Sequence, residues 1–151
     1  MPKRLYILNG SNLNLLGTRE PHLYGSTTLP EVAAQCARRA AEHGLTAVFR
    51  QTNSEGKLVD WIQEASKRAA GIVINPAGWT TTSVAVLDAL LAFGGPIVEI
   101  HVTNIHRRDA FRRHSLVSQA ATAVLAGFGP QGYVLAVDAI ARLIAARAPS
   151  A

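Results

Sequence analysis

Short apolar runs alternate along the chain with segments of helical periodicity, and this order restricts the possible folds more than any other feature. The apolar runs are residues 4–8, 45–50, 71–74, 97–102 and 123–127. Apolar residues at helical spacing occupy residues 29–44, 55–68 and about 80–93, and again from the last run to about residue 146. Strands that alternate with helices pair in parallel through right-handed crossovers. The pattern therefore predicts an α/β fold with a doubly wound parallel sheet, as one domain over residues 1–151.

The charge balance raises the question of a nucleic-acid partner. The chain carries a formal net charge of +5 and has an isoelectric point near 10.0. Most basic residues lie on separate helical segments, and only residues 105–114 concentrate them. That segment has a single aromatic residue and no known nucleic-acid-reading motif, so we expect a small anion and no nucleic acid. Cys36 is the one cysteine, which excludes an internal disulfide and a multi-cysteine metal site.

The sequence gives no sign of a membrane segment or a secretory leader. No apolar run approaches the roughly 20 residues that span a bilayer. The first ten residues contain a basic pair but neither an adequate apolar region nor a small-residue cleavage site. We therefore expect a cytoplasmic protein without membrane contact.

A polar segment follows the first apolar run. Residues 9–12 are turn-forming, and residues 17–25 form a polar stretch bracketed by glycines that contains Arg19, Pro21 and Tyr24. The proline argues against a helix there, so we predict a mobile loop. Ligands of open α/β sheets bind at the carboxyl ends of strands, and glycine-flanked loops at such places often close over a ligand. A surface excursion with two ordinary polar residues is the alternative.

The fourth apolar run contains two polar residues, Glu99 and His101. Since side chains two apart on a strand project to the same side, the two should meet. A carboxylate can orient an imidazole and tune it for acid–base catalysis. A buried ion pair without catalytic function is the alternative. Thr103 and Asn104 follow, where backbone N–H groups and a hydroxyl are suited to a carboxylate ligand, and Arg112 comes shortly after.

The third apolar run leads into residues 75–83, a turn rich in hydroxyls before a helix. The hydroxyls either face an anion at the helix N-terminus or are simple helix caps. Asp88 lies among apolar neighbours on that helix, which suggests a partner for it. The GxGxxG pattern at residues 127–132 follows the last strand, so no βαβ unit can form around it. We interpret it as a tight turn between strand and helix.

Four segments together resemble the type II 3-dehydroquinate dehydratase family, in order and in spacing. They are LNGSNLNLLGTREPHLYG (residues 8–25), NPAGWTTTSVAVLDALL (75–91), EIHVTNIHRRDAFRRHS (99–115) and GPQGY (129–133). The resemblance implies a flavodoxin-like fold, with a five-stranded parallel sheet and helices on both faces. It also implies no metal or cofactor, and a homo-oligomer, a dodecamer built from trimers. The family's substrate is a small anionic cyclic hydroxy acid of the shikimate pathway of aromatic amino acid biosynthesis.

The family reaction is an anti elimination of water from 3-dehydroquinate, which gives 3-dehydroshikimate through an enolate. By resemblance, Tyr24 is the base that removes the proton next to the ketone. An unperturbed tyrosine titrates near pH 10, so the resemblance assigns Arg19 to the stabilisation of the phenolate. His101 would protonate the departing hydroxyl while Glu99 holds it. Asn12 would position a water or bind the enolate oxygen.

The resemblance also assigns residues that bind the substrate. Asn75 and Thr103, with the backbone at Val102 and Thr103, would hold the carboxylate, and Arg112 would hold ring hydroxyls. Asp88 would reach into a neighbouring subunit's site. The remaining substrate-binding positions are Gly78 and Thr81.

The chain departs from the family pattern at several of these positions. Ser11 replaces a proline, Ala77-Gly78-Trp79 replaces glycine-alanine-tyrosine, and Thr103 replaces a serine. Thr81 replaces a histidine that contacts the substrate. The first hypothesis is an active dehydratase on 3-dehydroquinate or a close cyclic relative. The second is a weakly active or inactive relative that binds a different cyclitol-like acid, or an assembly component. The sequence does not separate a biosynthetic role from quinate breakdown.

Overall fold

The computed structural model describes residues 2–18 and 20–147, with the backbone alone at Leu23 and Tyr24. The strands are β1 (Lys3–Asn9), β2 (Leu45–Gln51), β3 (Ala69–Asn75), β4 (Ile97–His101) and β5 (Ala123–Ala126). The helices are α1 (Pro21–Tyr24), α2 (Leu29–Glu42), α3 (Glu55–Arg68), α4 (Val84–Leu91) and α5 (Gly132–Arg147). The predicted strands and longer helices are thus confirmed, with ends shifted by a few residues.

All five strands pair in parallel in the order β2-β1-β3-β4-β5. This is the flavodoxin-like order, and the chain reverses its direction of winding between β1 and β3. The predicted fold is confirmed. The carboxyl ends of β1, β3 and β4 therefore lie side by side, and the polar residues that follow these strands share one edge of the sheet.

Helices cover both faces of the sheet. On one face α2 and α5 pack on inward residues such as Leu5, Ile7 and Ile100. On the other, α3 and α4 pack on Tyr6 and Ile72, among others. Because side chains alternate along a strand, each face keeps its own apolar core. Cys36 lies in the core of the first face, as predicted, and burial raises the pKa of its thiol to about 12.

Hydroxyl caps begin three of the helices. Thr28, Ser54 and Ser83 each accept a hydrogen bond from a backbone N–H in the first turn of the helix that follows. Such a bond satisfies one of the donors that a helix leaves unpaired at its start. Ser83 is therefore a cap, and the hydroxyls available to a ligand at this turn lie earlier in the chain.

The prediction that residues 17–25 contain no helix is wrong. One helical turn, α1, begins at Pro21 and ends at Tyr24, and the N–H of Gly25 donates to the carbonyl of Pro21 (2.8 Å). Proline suits the first position of a helix because its missing N–H would have no partner there, and its fixed φ is helical. The mobility of the loop stays a prediction.

Close backbone contact joins the turns after β1 and β3. The N–H of Gly10 donates to the carbonyl of Asn75 (2.8 Å). A Cβ at Gly10 would lie 2.3 Å from the carbonyl oxygen of Pro76, so this contact requires glycine.

Two further features bear on the sequence predictions. The GxGxxG segment forms a 3-10 turn at Gly129–Gln131 that leads straight into α5, as interpreted. Within the described residues, no helix is both long enough and apolar enough to span a membrane.

Candidate active site

A cavity of about 210 Å³ opens at the carboxyl ends of β1, β3 and β4. Polar groups from three separate parts of the sequence converge there, as the parallel topology requires. Its lining comprises Ser11, Asn12, Leu13, Asn75, Ala77, Gly78, Thr80, Thr81, His101, Val102, Thr103, Ile105, Arg108 and Arg112. The predicted residues Asn12, Asn75, Gly78, Thr81, His101, Val102, Thr103 and Arg112 all belong to it.

His101 and Glu99 form the expected pair at the end of β4. Nε2 of His101 contacts Oε2 of Glu99, and both side chains are buried. Because this contact engages Nε2, Nδ1 is the ring nitrogen that remains for another partner. An imidazole held in this way by a carboxylate is suited to proton transfer.

Two serine hydroxyls that the sequence analysis missed also bond to Glu99. Ser115 donates to Oε2 (2.8 Å) and Ser118 donates to Oε1 (2.7 Å). Burial alone would raise the pKa of Glu99, but the hydrogen bond and charge of His101, with the hydroxyls of Ser118 and Ser115, outweigh it and lower the pKa. The carboxylate therefore stays ionised. The sequence feature that could have indicated these hydrogen bonds is a buried glutamate followed within twenty positions by two serines.

A chain of hydrogen bonds within the core fixes Asn75. Its Nδ2 donates to the hydroxyl of Tyr133 (2.9 Å), and Tyr133 in turn donates to Oδ1 of Asn9 (2.6 Å). The Oδ1 of Asn75 accepts from the N–H of Ala77 (3.1 Å). With these partners the amide keeps one N–H for a ligand. Burial raises the pKa of Tyr133, whose hydroxyl stays protonated. Neither Asn9 nor Tyr133 was predicted as a site residue from the sequence.

Asn12 lies at the mouth of the cavity in a left-handed conformation, with φ of 68°. Asparagine adopts this region more readily than most residues. Its backbone N–H donates to Oδ1 of Asn53 (2.9 Å), which joins the turn after β1 to the segment after β2. The side chain of Asn12 remains at the cavity, where an amide can bind an oxyanion.

The turn after β3 carries two of the departures from the family pattern. Ala77 is left-handed, with φ of 55°, a conformation that costs a residue with a Cβ about 1–2 kcal/mol. The hydroxyl of Thr81 donates to the carbonyl of Gly78 (3.1 Å). With its proton engaged, Thr81 offers lone pairs to a ligand and is an acceptor at this position.

Two arginines, Arg108 and Arg112, line the side of the cavity next to Thr103. Nη1 of Arg108 lies 3.5 Å from Oγ1 of Thr103. The guanidinium of Arg112 lies 4.9 Å from the ring centroid of Phe111, and Nε is 4.0 Å from Asp109. This positive wall fits the predicted anion, and it adds Arg108, which the sequence analysis did not single out.

Glu99 bonds His101 but is not itself part of the cavity lining. Three further predicted residues are not described at the cavity. Asp88 is exposed on α4 and does not line it. Arg19 lies outside the described residues, as does the side chain of Tyr24. In the described part of the chain, no three histidine, cysteine, aspartate or glutamate residues lie close enough to hold a metal ion.

Comparisons with known proteins identify the family of this chain. The family model of class II dehydroquinases matches residues 3–141. A 3-dehydroquinate dehydratase of Acidovorax ebreus is 55% identical over 147 residues, which cover 94% of this chain and 99% of the relative. The enzyme of the same name from Streptomyces coelicolor is 58% identical over 143 residues, which cover 94% of this chain and 91% of the relative.

A solved structure gives the same result for the fold. The crystal structure of the type II dehydroquinase from Propionibacterium acnes superposes with a TM-score of 0.90 at 43% identity, covering 94% of this chain and 98% of that one. With a family model that matches most of the chain and relatives more than half identical, the chain belongs to the class II dehydroquinase family.

Proposed function

We propose that the protein is a 3-dehydroquinate dehydratase, a hydro-lyase of the shikimate pathway. The observation that carries the proposal is the pair of His101 and Glu99 at one end of a cavity that also holds Asn12, Asn75 and Arg112. Relatives named for this activity, more than half identical over nearly the full chain, support the same reaction.

In the proposed mechanism, the phenolate of Tyr24 takes the proton next to the ketone of the substrate. The electron pair of the broken C–H bond moves to the carbonyl oxygen, and Asn12 stabilises the resulting enolate, directly or through a water. Arg19 keeps the phenolate charged at neutral pH, because a nearby guanidinium favours the ionised form. A base on one side of the ring and an acid on the other fit an anti elimination.

The second step expels the hydroxyl group. The enolate electrons form the new carbon–carbon double bond, the carbon–oxygen bond breaks, and protonated His101 gives its proton to the leaving oxygen, so that water departs. Glu99 orients the ring and stabilises its charged form. The buried, ionised carboxylate of Glu99 supports this role.

The same proposal accounts for substrate binding. Asn75, Thr103 and the backbone at Val102 and Thr103 hold the substrate carboxylate, while Arg112 holds ring hydroxyls. Gly78 and Thr81, which also line the cavity, are the remaining substrate-binding positions. The half-buried hydroxyl of Thr103 and the remaining N–H of Asn75 support this assignment.

We also propose that the enzyme acts in the cytoplasm as a homo-oligomer, a dodecamer of trimers, in which Asp88 completes a neighbouring subunit's site. The exposure of Asp88 between two exposed apolar residues of α4, Val84 (56%) and Leu91 (59%), supports a covered surface there. Light scattering should give a mass that is a multiple of the 16.1 kDa chain. An active monomer at assay concentration would contradict this assembly.

The experiment for the activity is direct. The product contains an enone that absorbs ultraviolet light, so purified protein mixed with 3-dehydroquinate should produce a rising absorbance. A weakly active or inactive relative would show little or no such rise. Calorimetry would instead detect its binding of a different cyclitol-like acid. The alternative gains its support from Thr81, which cannot supply the family's imidazole.

A further inference from the structure

The carboxylate of Glu99 is bonded at both oxygens by neutral hydroxyls as well as by the imidazole. Oε2 accepts from His101 and from Ser115 (2.8 Å), and Oε1 accepts from Ser118 (2.7 Å). The carboxylate lies at 0% exposure, so it has no contact with bulk water. A carboxylate offers about four lone-pair positions, and three of them are filled here. These three hydrogen bonds can therefore form together in one orientation of the carboxylate only.

A further hydroxyl sets the direction of these bonds. Oγ1 of Thr80 lies 2.7 Å from Oγ of Ser115. Because Ser115 has one proton and gives it to Glu99, Thr80 is the donor to Ser115. The carbonyl of Thr80 also accepts from the N–H of Leu116 (2.8 Å). The turn after β3 is thus joined through both backbone and side chain to the segment that follows the two cavity arginines.

The serine hydroxyls stabilise the ionised form of Glu99 and do not neutralise its charge, because they are uncharged. Within the described residues, the carboxylate bonds to His101, Ser115 and Ser118, of which His101 alone can carry a charge. A second cation in place of the serines would neutralise the carboxylate and weaken its effect on the imidazole. Neutral donors instead stabilise the ionised form and leave its charge directed at His101.

We propose that Ser115 and Ser118, with Thr80 behind Ser115, are positioning residues that fix the Glu99 carboxylate and thereby the orientation of the His101 ring. The inference rests on the proposed function, in which His101 is the acid. According to this inference, the hydroxyls increase the rate of the reaction, in addition to providing hydrogen bonds to a buried carboxylate.

The first test is kinetic, with 3-dehydroquinate as substrate. Ser118→Ala and Ser115→Ala should each lower kcat by roughly 3- to 30-fold and leave KM within about twofold, because the substrate does not touch these hydroxyls. Thr80→Val should have a smaller effect because it acts through Ser115. Ser118→Thr keeps a hydroxyl and should recover most of the rate. Ser66→Ala is the control, since Ser66 is an exposed serine on α3 whose hydroxyl donates to the carbonyl of Ile62 (3.3 Å).

The second test does not require activity. In protein labelled with ¹³C at the glutamate carboxyls, the Glu99 signal is assigned by its loss in Glu99→Gln. Loss of a donor to the ionised form should raise the pKa of Glu99 in both alanine variants and leave it unchanged in Ser66→Ala. The other charged residues of the cavity lining are Arg108 and Arg112, and every variant keeps these two arginines and His101.

The outcomes separate this inference from the proposed function. If kcat stays within twofold and the Glu99 titration does not move in either serine variant, the proposal is wrong. If kcat falls only in proportion to the folded fraction, measured by circular dichroism, the hydroxyls are merely structural and the proposal again fails. If the unmodified protein is inactive on 3-dehydroquinate, the proposed function fails, and the carboxyl titration still tests whether the serines hold Glu99.

Discussion

The hydroxyl of Tyr133 donates a 2.6 Å hydrogen bond to Oδ1 of Asn9, although the two residues lie 124 positions apart. The same hydroxyl accepts from Asn75, so one buried oxygen joins β1, β3 and α5 beneath the cavity. The position of the Asn75 amide in the site therefore depends on a residue of the last helix.

Tyr133→Phe should destabilise the protein by about 1–3 kcal/mol, because it leaves Oδ1 of Asn9 and an N–H of Asn75 unpaired at buried positions. It should also raise KM for the substrate, since Asn75 keeps only its bond from the N–H of Ala77. Tyr6→Phe is the matched control: its ring is equally buried, but its hydroxyl bonds the half-exposed Glu64 (2.5 Å), which keeps Arg50 as a partner (2.8 Å). Urea unfolding of both variants makes the comparison, and equal losses of stability would contradict the prediction.

Ala77→Gly should stabilise the protein by about 0.5–1 kcal/mol. The substitution removes the cost of a left-handed alanine, and the greater flexibility of glycine in the unfolded chain offsets part of that gain. Ala37→Gly, at an exposed position inside α2, should instead destabilise by about 1 kcal/mol. Thermal unfolding at one protein concentration should show shifts of opposite sign, and a loss of stability in Ala77→Gly would refute the strain at this turn.

His101→Ala should lower kcat by roughly 10²- to 10⁴-fold, the usual contribution of one general acid. Glu99→Gln should reduce kcat more than it raises KM, because an amide cannot support the charged imidazole. Steady-state kinetics with 3-dehydroquinate measures both effects. Near-normal turnover in both variants would mean that the pair is a structural ion pair, which is the alternative that the sequence left open.

Tyr24→Phe should nearly abolish turnover while the fold and the assembly persist, since only the phenol oxygen is removed. Arg19→Ala should reduce kcat sharply and move the rising limb of the pH–rate profile to higher pH, because the phenolate loses a neighbouring charge. Circular dichroism and light scattering serve as the controls for folding and assembly. A Phe variant with normal kcat would exclude this tyrosine as the base.

Thr81→His should raise kcat/KM for 3-dehydroquinate by roughly 2- to 150-fold, which corresponds to about 0.5–3 kcal/mol for one regained hydrogen bond. The hydroxyl of Thr81 already donates to Gly78, so it offers the substrate an acceptor where an imidazole can also donate. Analogues altered at each ring hydroxyl should locate the contact. Equal values for both proteins on every compound would show that position 81 does not touch the substrate.

Much of the site followed from local rules of chain geometry. Glu99 and His101 meet because a strand places side chains two apart on one side, and this holds in any sheet. Asn12, Asn75 and Thr103 converge because the carboxyl ends of parallel strands share an edge. That these residues belong to the site could be predicted from their position next to the end of a strand, without knowledge of the tertiary structure.

The hydrogen-bond partners that fix the site residues could not be predicted in the same way. Ser115 and Ser118 lie 16 and 19 positions from Glu99 along the chain. The segment between Glu99 and the serines is irregular and has no periodic pattern from which these contacts could be predicted. Tyr133 meets Asn9 only because α5 packs across the sheet. The helical turn at Pro21 was missed because the same proline suits a helix start and a loop, and propensity does not separate the two.

The sequence by itself determined the alternation of strands and helices and the residues that follow each strand, since these depend on periodicity and on the spacing of neighbours along the chain. Only the tertiary structure decided which hydroxyls bond to Glu99, what anchors Asn75 and where the proton of Thr81 points. Hydrogen bonds within about 3 Å depend on how distant segments pack, and no local pattern in the chain records that distance.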